Sequence, residues 1–386
     1  MLAIVNARLI TVADGIIENG AVLLKDKRIV SLGRDIAIPD NCRKIDAIGR
    51  PVTPGLIDAH THAGISEHGI DWAGNDTNEG TNPVNPFCRV KDGINMKDRA
   101  FDKLRKAGIT CIGVLPGSSN ILGGAGLALK CTGIIVDEAI VKDPIGIKAA
   151  LGENPKKCYG KNNQSPATRM GNAAVLRESL LKAKQYLEKK QSSKEPALDM
   201  KWEALLPVIK KEIPLFIHCH RHDDIVTAVR ICREFDVRFA LEHVTDGHLI
   251  ADFLKKHQVH CAVGPTLYYG SKVENRDRSF KTPVQFDRKK IPFCFITDHP
   301  VVDARNLALT AGMAVQWGMS EESALRAITL GSAEHIGIND RVGSLEAGKD
   351  ADLVIWSGNP LEFTSFADMT IINGDTVYER GNRPCY

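Results

Sequence analysis

The sequence predicts an α/β fold: a TIM-like (β/α)8 barrel with a small composite β-sandwich domain formed by the N- and C-terminal segments. Three observations carry that prediction. Eight short apolar runs are separated by stretches with helical spacing. Both ends of the chain read as strands instead. Histidines and acids fall where the apolar runs stop, and active-site residues of such barrels sit at the C-terminal ends of their strands.

The first 50 residues contain "LAIVNARLITV", "GAVLLKDKRIVSLG" and "CRKIDAIGRPVTPG", β-branched text broken by Gly, Asn and Asp. Barrel strands are then expected at "GLIDA" (55–59), "GITCIGVLP" (108–116), "GLALKCTGIIV" (126–136) and "PIGIKAAL" (144–151). Four more follow at "IPLFIH" (213–218), "VRFALEH" (237–243), "VHCAVGP" (259–265) and "IPFCFIT" (291–297). Helices with spacing near 3.6 fit "MKDRAFDKLRKAG", "MGNAAVLRESLLKAKQYLEKK", "MKWEALLPVIKKE", "DDIVTAVRICREF", "GHLIADFLKKH", "ARNLALTAGMAVQWG" and "SEESALRAITLG". Between 115 and 130 a Gly-rich loop replaces the expected helix, and 154–172 and 189–197 read as excursions. The strand-like tail "RVGSLEAGKDADLVIWSG" and "MTIINGDTVYERG" is expected to pair with the N-terminal strands. The expected division is residues 1–52 with 342–386 as the β domain and 53–341 as the barrel.

The 386 residues can bury a large core, and 43% hydrophobic with 25% charged residues is ordinary for a soluble globular chain. Fifty basic residues against 47 acidic ones leave a net charge of +3, too balanced for a nucleic-acid or anionic-membrane surface. The opening "MLAIVNARLITVADG" lacks the features of a signal peptide, and no apolar run approaches spanning length. Ten cysteines occur without a C-x-x-C pair. A cytoplasmic setting and a small-molecule substrate are therefore expected, with homo-oligomer formation left open.

In "PGLIDAHTH" (54–62), His60 and His62 stand two positions apart, so on a strand both rings share one face. The fourth strand ends near Glu153, the fifth at His218 with His220 beyond it, the sixth at His243 and the eighth at Asp298. Five separated segments thus bring nitrogen or carboxylate donors to corresponding points. Such donors without thiolates suit one or two divalent ions, zinc first, with manganese or iron as alternatives. Water on such an ion becomes available as a nucleophile near neutral pH, and Asp298 is placed to move its proton.

"PGLIDAHTH", "IHCH", "LEH", "ITDHP" and the tail "GSAEHIGINDRVGSLEAGKDADLVIW" together resemble the amidohydrolase superfamily, nearest its imidazolonepropionase-related and prolidase-like members. The resemblance implies a metal-dependent hydrolase cleaving an amide (C–N) bond of a small cyclic, N-acyl or dipeptide substrate. His60, His62, His218 and His243 match ligand positions, and Asp298 matches the eighth-strand acid. Many such enzymes bridge two metals with a carboxylated lysine at the fourth strand. Glu153 is expected in that role here, similar to the glutamate ligand of N-acetylglucosamine-6-phosphate deacetylases, with a carboxylated Lys148 or Lys130 as the alternative.

Deamination of a small heterocycle is the competing activity. Deaminases of this kind usually carry a glutamate three residues after the fifth-strand histidine, where this chain has Arg221. A non-catalytic scaffold is the third reading, and retention of each expected ligand type argues against it. His220 is expected either as a ligand or in the substrate pocket. Arg89, Tyr268, Lys272 and His299 are the weaker candidates for substrate contact.

Overall fold

The computed structural model describes residues 1–192 and 197–381. Residues 193–196 of the 189–197 excursion, and the last five of the expected β domain, lie outside the described residues. The N-terminal strands are β1 (Leu2–Ile10), β2 (Ile16–Lys25), β3 (Arg28–Gly33), β4 (Arg43–Asp46) and β5 (Pro51–Pro54). The barrel strands are β6 (Leu56–Thr61), β7 (Ile109–Val114), β8 (Leu122–Lys130), β9 (Ile140–Ala150), β10 (Leu215–Cys219), β11 (Phe239–His243), β12 (Cys261–Val263) and β13 (Phe293–Phe295). The last three are β14 (Leu353–Trp356), β15 (Ala367–Ile372) and β16 (Asp375–Glu379).

Strands β6 to β13 lie side by side in sequence order as one eight-stranded, nearly closed sheet. The seam between β13 and β6 is drawn together by Asp298 N–H donating to the His60 carbonyl at 3.1 Å and His62 N–H donating to the His299 carbonyl at 2.8 Å. All four are expected site residues, so closing the barrel also brings the first and last strand ends together.

One strand departs from the (β/α)8 pattern. β8 runs antiparallel to both β7 and β9. The reason lies in the connection: a parallel return needs a crossover of about a dozen residues or more, and the Gly-rich link between β7 and β8 is shorter. The chain therefore turns back at the mouth, and Gly117, Ser118 and Ser119 of the turn line the cavity there.

Helices pack against the strands through a core that includes Leu56, Ile112, Ile147, Leu215, Leu241 and Phe295. Inside the barrel a separate apolar set, with Ile57, Ala59, Cys111, Phe216 and Ile296, is joined by Ala333 and Ile336 of the helix Leu330–Ile336. That helix contacts β6, β12 and β13. Alternate strand positions fill the interior, so the barrel holds packed side chains rather than a pore. Helix Arg169–Ser192 covers the expected one, while Met200–Glu203 and Leu206–Ile209 replace a single expected helix that Pro207 interrupts. Part of the 154–172 excursion is helical, as Glu153–Gly160.

The two chain ends share a second, mixed sheet in the order β16-β15-β14-β5-β1-β2-β3, with β4 pairing β1. Its apolar face includes Ile4, Leu9, Val22, Leu353 and Ile371. Because β8 descends, Lys130 is delivered away from the mouth to this second sheet, where Nζ meets Asp352 Oδ2 at 2.6 Å and Asp350 Oδ2 at 2.9 Å. All three side chains are buried, and Asp350 is further held by Arg341 at 2.8 Å and Arg28 at 2.7 Å. Removing one member of a buried ion-pair network leaves the others desolvated and unpaired. Lys130→Met is expected to lower unfolding free energy by about 3–5 kcal/mol, read from urea unfolding. An unchanged midpoint would show that the cluster does not hold the two sheets together.

Candidate metal centre

The barrel mouth opens into a cavity of about 650 Å³ lined by His62, Lys148, His218, His220, His243 and Asp298, with loop residues above them. Ring and carboxylate atoms of His218, His220 and His243 lie within 4.8 Å of one another, as do those of His60, His243 and Asp298. His243 belongs to both groups. The structure thus brings together six of the expected residues: His60, His62, His218, His220, His243 and Asp298.

Local backbone aims these side chains. His243 has φ +75° and Asp298 φ +55°, a left-handed conformation that costs a non-glycine residue on the order of 1 kcal/mol. At each, the chain leaves the pleat just where the strand ends. Gly264, at the end of β12, has φ +148°, and a Cβ there would lie 2.1 Å from the Ile296 carbonyl oxygen. Only glycine fits, and its carbonyl accepts from His243 Nδ1 at 2.9 Å.

The hydrogen bonds assign the ring tautomers. His60 Nδ1 donates to Glu242 Oε2 at 2.6 Å, and His62 Nδ1 donates to the Leu115 carbonyl at 2.7 Å. His220 Nδ1 lies 2.8 Å from Thr245 Oγ1. With Nδ1 so engaged, His60 and His62 turn their Nε2 atoms towards Asp298 Oδ1, at 3.5 and 3.1 Å. Two lone pairs cannot face each other at that range without a proton or a cation between them. His218 Nδ1 is buried with no hydrogen-bond partner among the described residues. Burial, first of all, pushes His60 down to about 4 and holds His218, His220 and His243 well below the usual histidine range. Neutral imidazoles are the form that binds metal, so the donor set fits a divalent ion.

Desolvation alone would raise the pKa of the partly buried Asp298, but the neighbouring His62, His60 and Lys148 hold it below the usual carboxylate range. It stands ionised in this surrounding.

The remaining expected residues divide. Tyr268 and Lys272 line the cavity. Glu153 does not: it opens the helix Glu153–Gly160 and lines a separate surface hollow with Lys156, Arg169 and Arg221. The physical reason is that β9 stops at Ala150, and Gly152, with φ +84°, turns the chain outward before Glu153. In its place Lys148, on β9 itself, reaches the cluster with Nζ 3.0 Å from His60 Nε2. It is fully buried, and that burial brings its pKa down to about 8. Arg89 is exposed and paired with Asp143 at 2.7 Å, outside the cavity. His299 is buried but stacks on His68 with centroids 5.8 Å apart, away from the lining.

Sequence reading passed over two groups behind the cluster. Glu242 accepts from His60 on one oxygen and from His335 Nε2 at 2.7 Å on the other, and both side chains are fully buried. An acid inside the otherwise apolar "FALEH" was the signal. A carboxylate behind a ligating imidazole fixes its tautomer and raises its basicity. Glu242→Gln replaces one acceptor by a donor, so one histidine loses its partner. We expect metal affinity to fall about 10–100-fold, measured by competition with a chelator. An unchanged affinity would remove the orienting role.

A barrel whose mouth gathers imidazoles around an ionised carboxylate defines a class of hydrolase scaffold, and the comparisons agree. Residues 52–377 match the amidohydrolase family model, and the chain belongs to that family. It is 26% identical over 395 residues to the amidohydrolase tasK of Hapsidospora irregularis, covering 95% of this chain but 40% of that protein. With the imidazolonepropionase of Mesorhizobium japonicum it shares 25% identity over 407 residues, 91% of this chain and 90% of that one. A crystal structure of an amidohydrolase from Thermotoga maritima superposes with a TM-score of 0.95 at 36% identity, covering 98% of this chain and all of the other. The chain is therefore a hydrolase of that family. Among the described residues no helix is long and apolar enough to cross a membrane.

Proposed function

We propose that the chain is a metal-dependent hydrolase that cleaves an amide C–N bond of a small substrate, cyclic, N-acyl or dipeptide. The observation that carries this reading is the facing of His60 Nε2, His62 Nε2 and Asp298 Oδ1 in one cluster at the barrel mouth, together with the orphaned His218 Nδ1. The cavity volume suits a small molecule. Residues 53–341 form the catalytic barrel in this reading, and 1–52 with 342–386 the supporting β domain.

His60, His62 and Asp298 would hold one ion, zinc first, and His218 and His243 would hold a second if two are bound. Lys148, carboxylated on Nζ, would offer its oxygens to both: its neutral amine adds to carbon dioxide and releases a proton, and the resulting anion suits a place among imidazoles. His220 turns its free nitrogen to the substrate. When bound, the ions polarise the scissile carbonyl and bring water towards ionisation at neutral pH. Asp298 accepts the proton of the attacking water as the water oxygen bonds to the carbonyl carbon. The same carboxyl then hands that proton to the leaving nitrogen as the C–N bond breaks. His62, its Nδ1 held by the Leu115 carbonyl, keeps its Nε2 beside that carboxylate.

Chelation is expected to abolish hydrolysis in a screen of N-acyl amino acids, dipeptides and cyclic amides, and re-addition of zinc or manganese to restore it. Full turnover by protein shown free of metal by elemental analysis would end the proposal.

A further inference from the structure

Part of the cavity wall comes from the segment after β12, which contributes Tyr268, Lys272, Asn275 and Arg278. Its backbone is built, not loose: Lys272 N–H donates to Asn275 Oδ1 at 2.9 Å, and Arg278 N–H to the Asn275 carbonyl at 3.2 Å. Glu274, buried, ties the segment to the loop after β9 by accepting from the Glu153 backbone N–H at 2.7 Å. Two cations project from this wall. Lys272 Nζ donates to Asn154 Oδ1 at 2.5 Å and lies 4.0 Å from Glu274 Oε1, so it is partly satisfied.

Arg278 is not. Its Nε and Nη1 atoms are buried, and neither has a hydrogen-bond partner among the described residues. A guanidinium stays charged at any physiological pH, so it cannot relieve this by losing a proton. Leaving such donors desolvated and unpaired is costly, and charge-assisted bonds to an anion remove that cost. Arg278 lines both the cavity and a neighbouring hollow. Asp298, whose charge acts on the guanidinium, and Tyr268 both line the cavity. The Tyr268 ring centroid is 5.7 Å from the guanidinium carbon. The unpaired cation therefore shares one small chamber with the proposed reacting groups.

We infer that Arg278, with Lys272 beside it, is a subsite for a carboxylate on the substrate, so that this enzyme acts on amides bearing a free carboxylate near the scissile bond. The inference rests on the amide-hydrolase reading for its chemistry, but binding to the subsite can be tested apart from turnover. The amide carbonyl lies at the His60–His62–Asp298 end of the chamber and the carboxylate at the Arg278 end. Neutral amides of the same shape leave the guanidinium unpaired and are rejected.

The test uses a panel of N-acetyl-L-amino acids and dipeptides beside their C-terminal carboxamides, with the full-length metal-loaded protein. Free acids are expected to be favoured by at least about 100-fold in kcat/KM, because a site built to pair a polar group discriminates strongly against its absence. Arg278→Met should bring that preference to within a few-fold, mainly through a raised KM for the free acids. Arg278→Lys should recover part of it. Equal rates on acids and carboxamides by the wild type would overturn the subsite and leave amide hydrolysis standing. If no amide is turned over, the subsite is read by binding. The same N-acetyl acids, and not their carboxamides, should raise the melting temperature of the wild type and not of Arg278→Met. No shift with any of the acids, or a shift with inorganic phosphate alone, overturns the carboxylate assignment.

Discussion

Asp298→Asn is expected to lower turnover by about 100- to 10,000-fold, the range a positioned general acid–base group supplies, while the protein still folds. The substitution preserves volume and still offers an oxygen to the cluster, but an amide can neither take up nor deliver the proton of the attacking water. Asp298 stands at the seam where β13 meets β6, and its backbone N–H, not its side chain, makes the closing bond to the His60 carbonyl. The fold therefore loses little when the carboxylate goes. Its left-handed backbone, φ +55°, is a conformation that asparagine tolerates as well as aspartate does. Steady-state kinetics with a circular-dichroism melt would separate the two effects. Near-normal turnover would remove Asp298 from the proton path, and a collapsed melt would make it a structural residue instead.

Much of the barrel is legible in the sequence because its strands are short apolar runs punctuated by glycine and charge, and a buried strand has little choice of text. All eight runs correspond to strands of the closed sheet. Where a strand ends in a histidine, as at His218 and His243, the donor's position follows from the strand's end. Direction is another matter. Nothing in the residues of β8 marks it as antiparallel; that is set by the length of the link from β7, where the missing helix was visible but its consequence was not. Glu153 illustrates a second limit. The run "GIKAALGENP" does not show where the pleat stops, and five positions separate a surface acid from a buried lysine. Arg278 is a third case. It lies in a loop, where side-chain direction depends on contacts made by Glu274 and Asn275 and not on any periodic pattern.

The exchange of Glu153 for Lys148 leads to the other large effect. Lys148→Ala is expected to lower turnover by more than about 1,000-fold, since an ion held in place contributes several kcal/mol to stabilising charge in the transition state. Glu153→Gln should stay within a few-fold of the wild type. Lys148 is the only lysine side chain on β9 that reaches the ligand cluster among the described residues, and its nitrogen sits 3.0 Å from the His60 Nε2 that faces Asp298. An unmodified, positively charged Lys148 in that place would repel a divalent ion; as a carbamate it supplies two oxygens instead. Bound metal should therefore fall in Lys148→Ala, and short carboxylates such as acetate or propionate, which can occupy the vacated space, should restore part of both metal content and rate. The intact mass of the wild type, recorded under non-denaturing conditions with carbon dioxide supplied, should carry the added carboxyl group. Loss of activity in Glu153→Gln together with an active Lys148→Ala would reverse the assignment and return the bridging role to the carboxylate at the start of the helix.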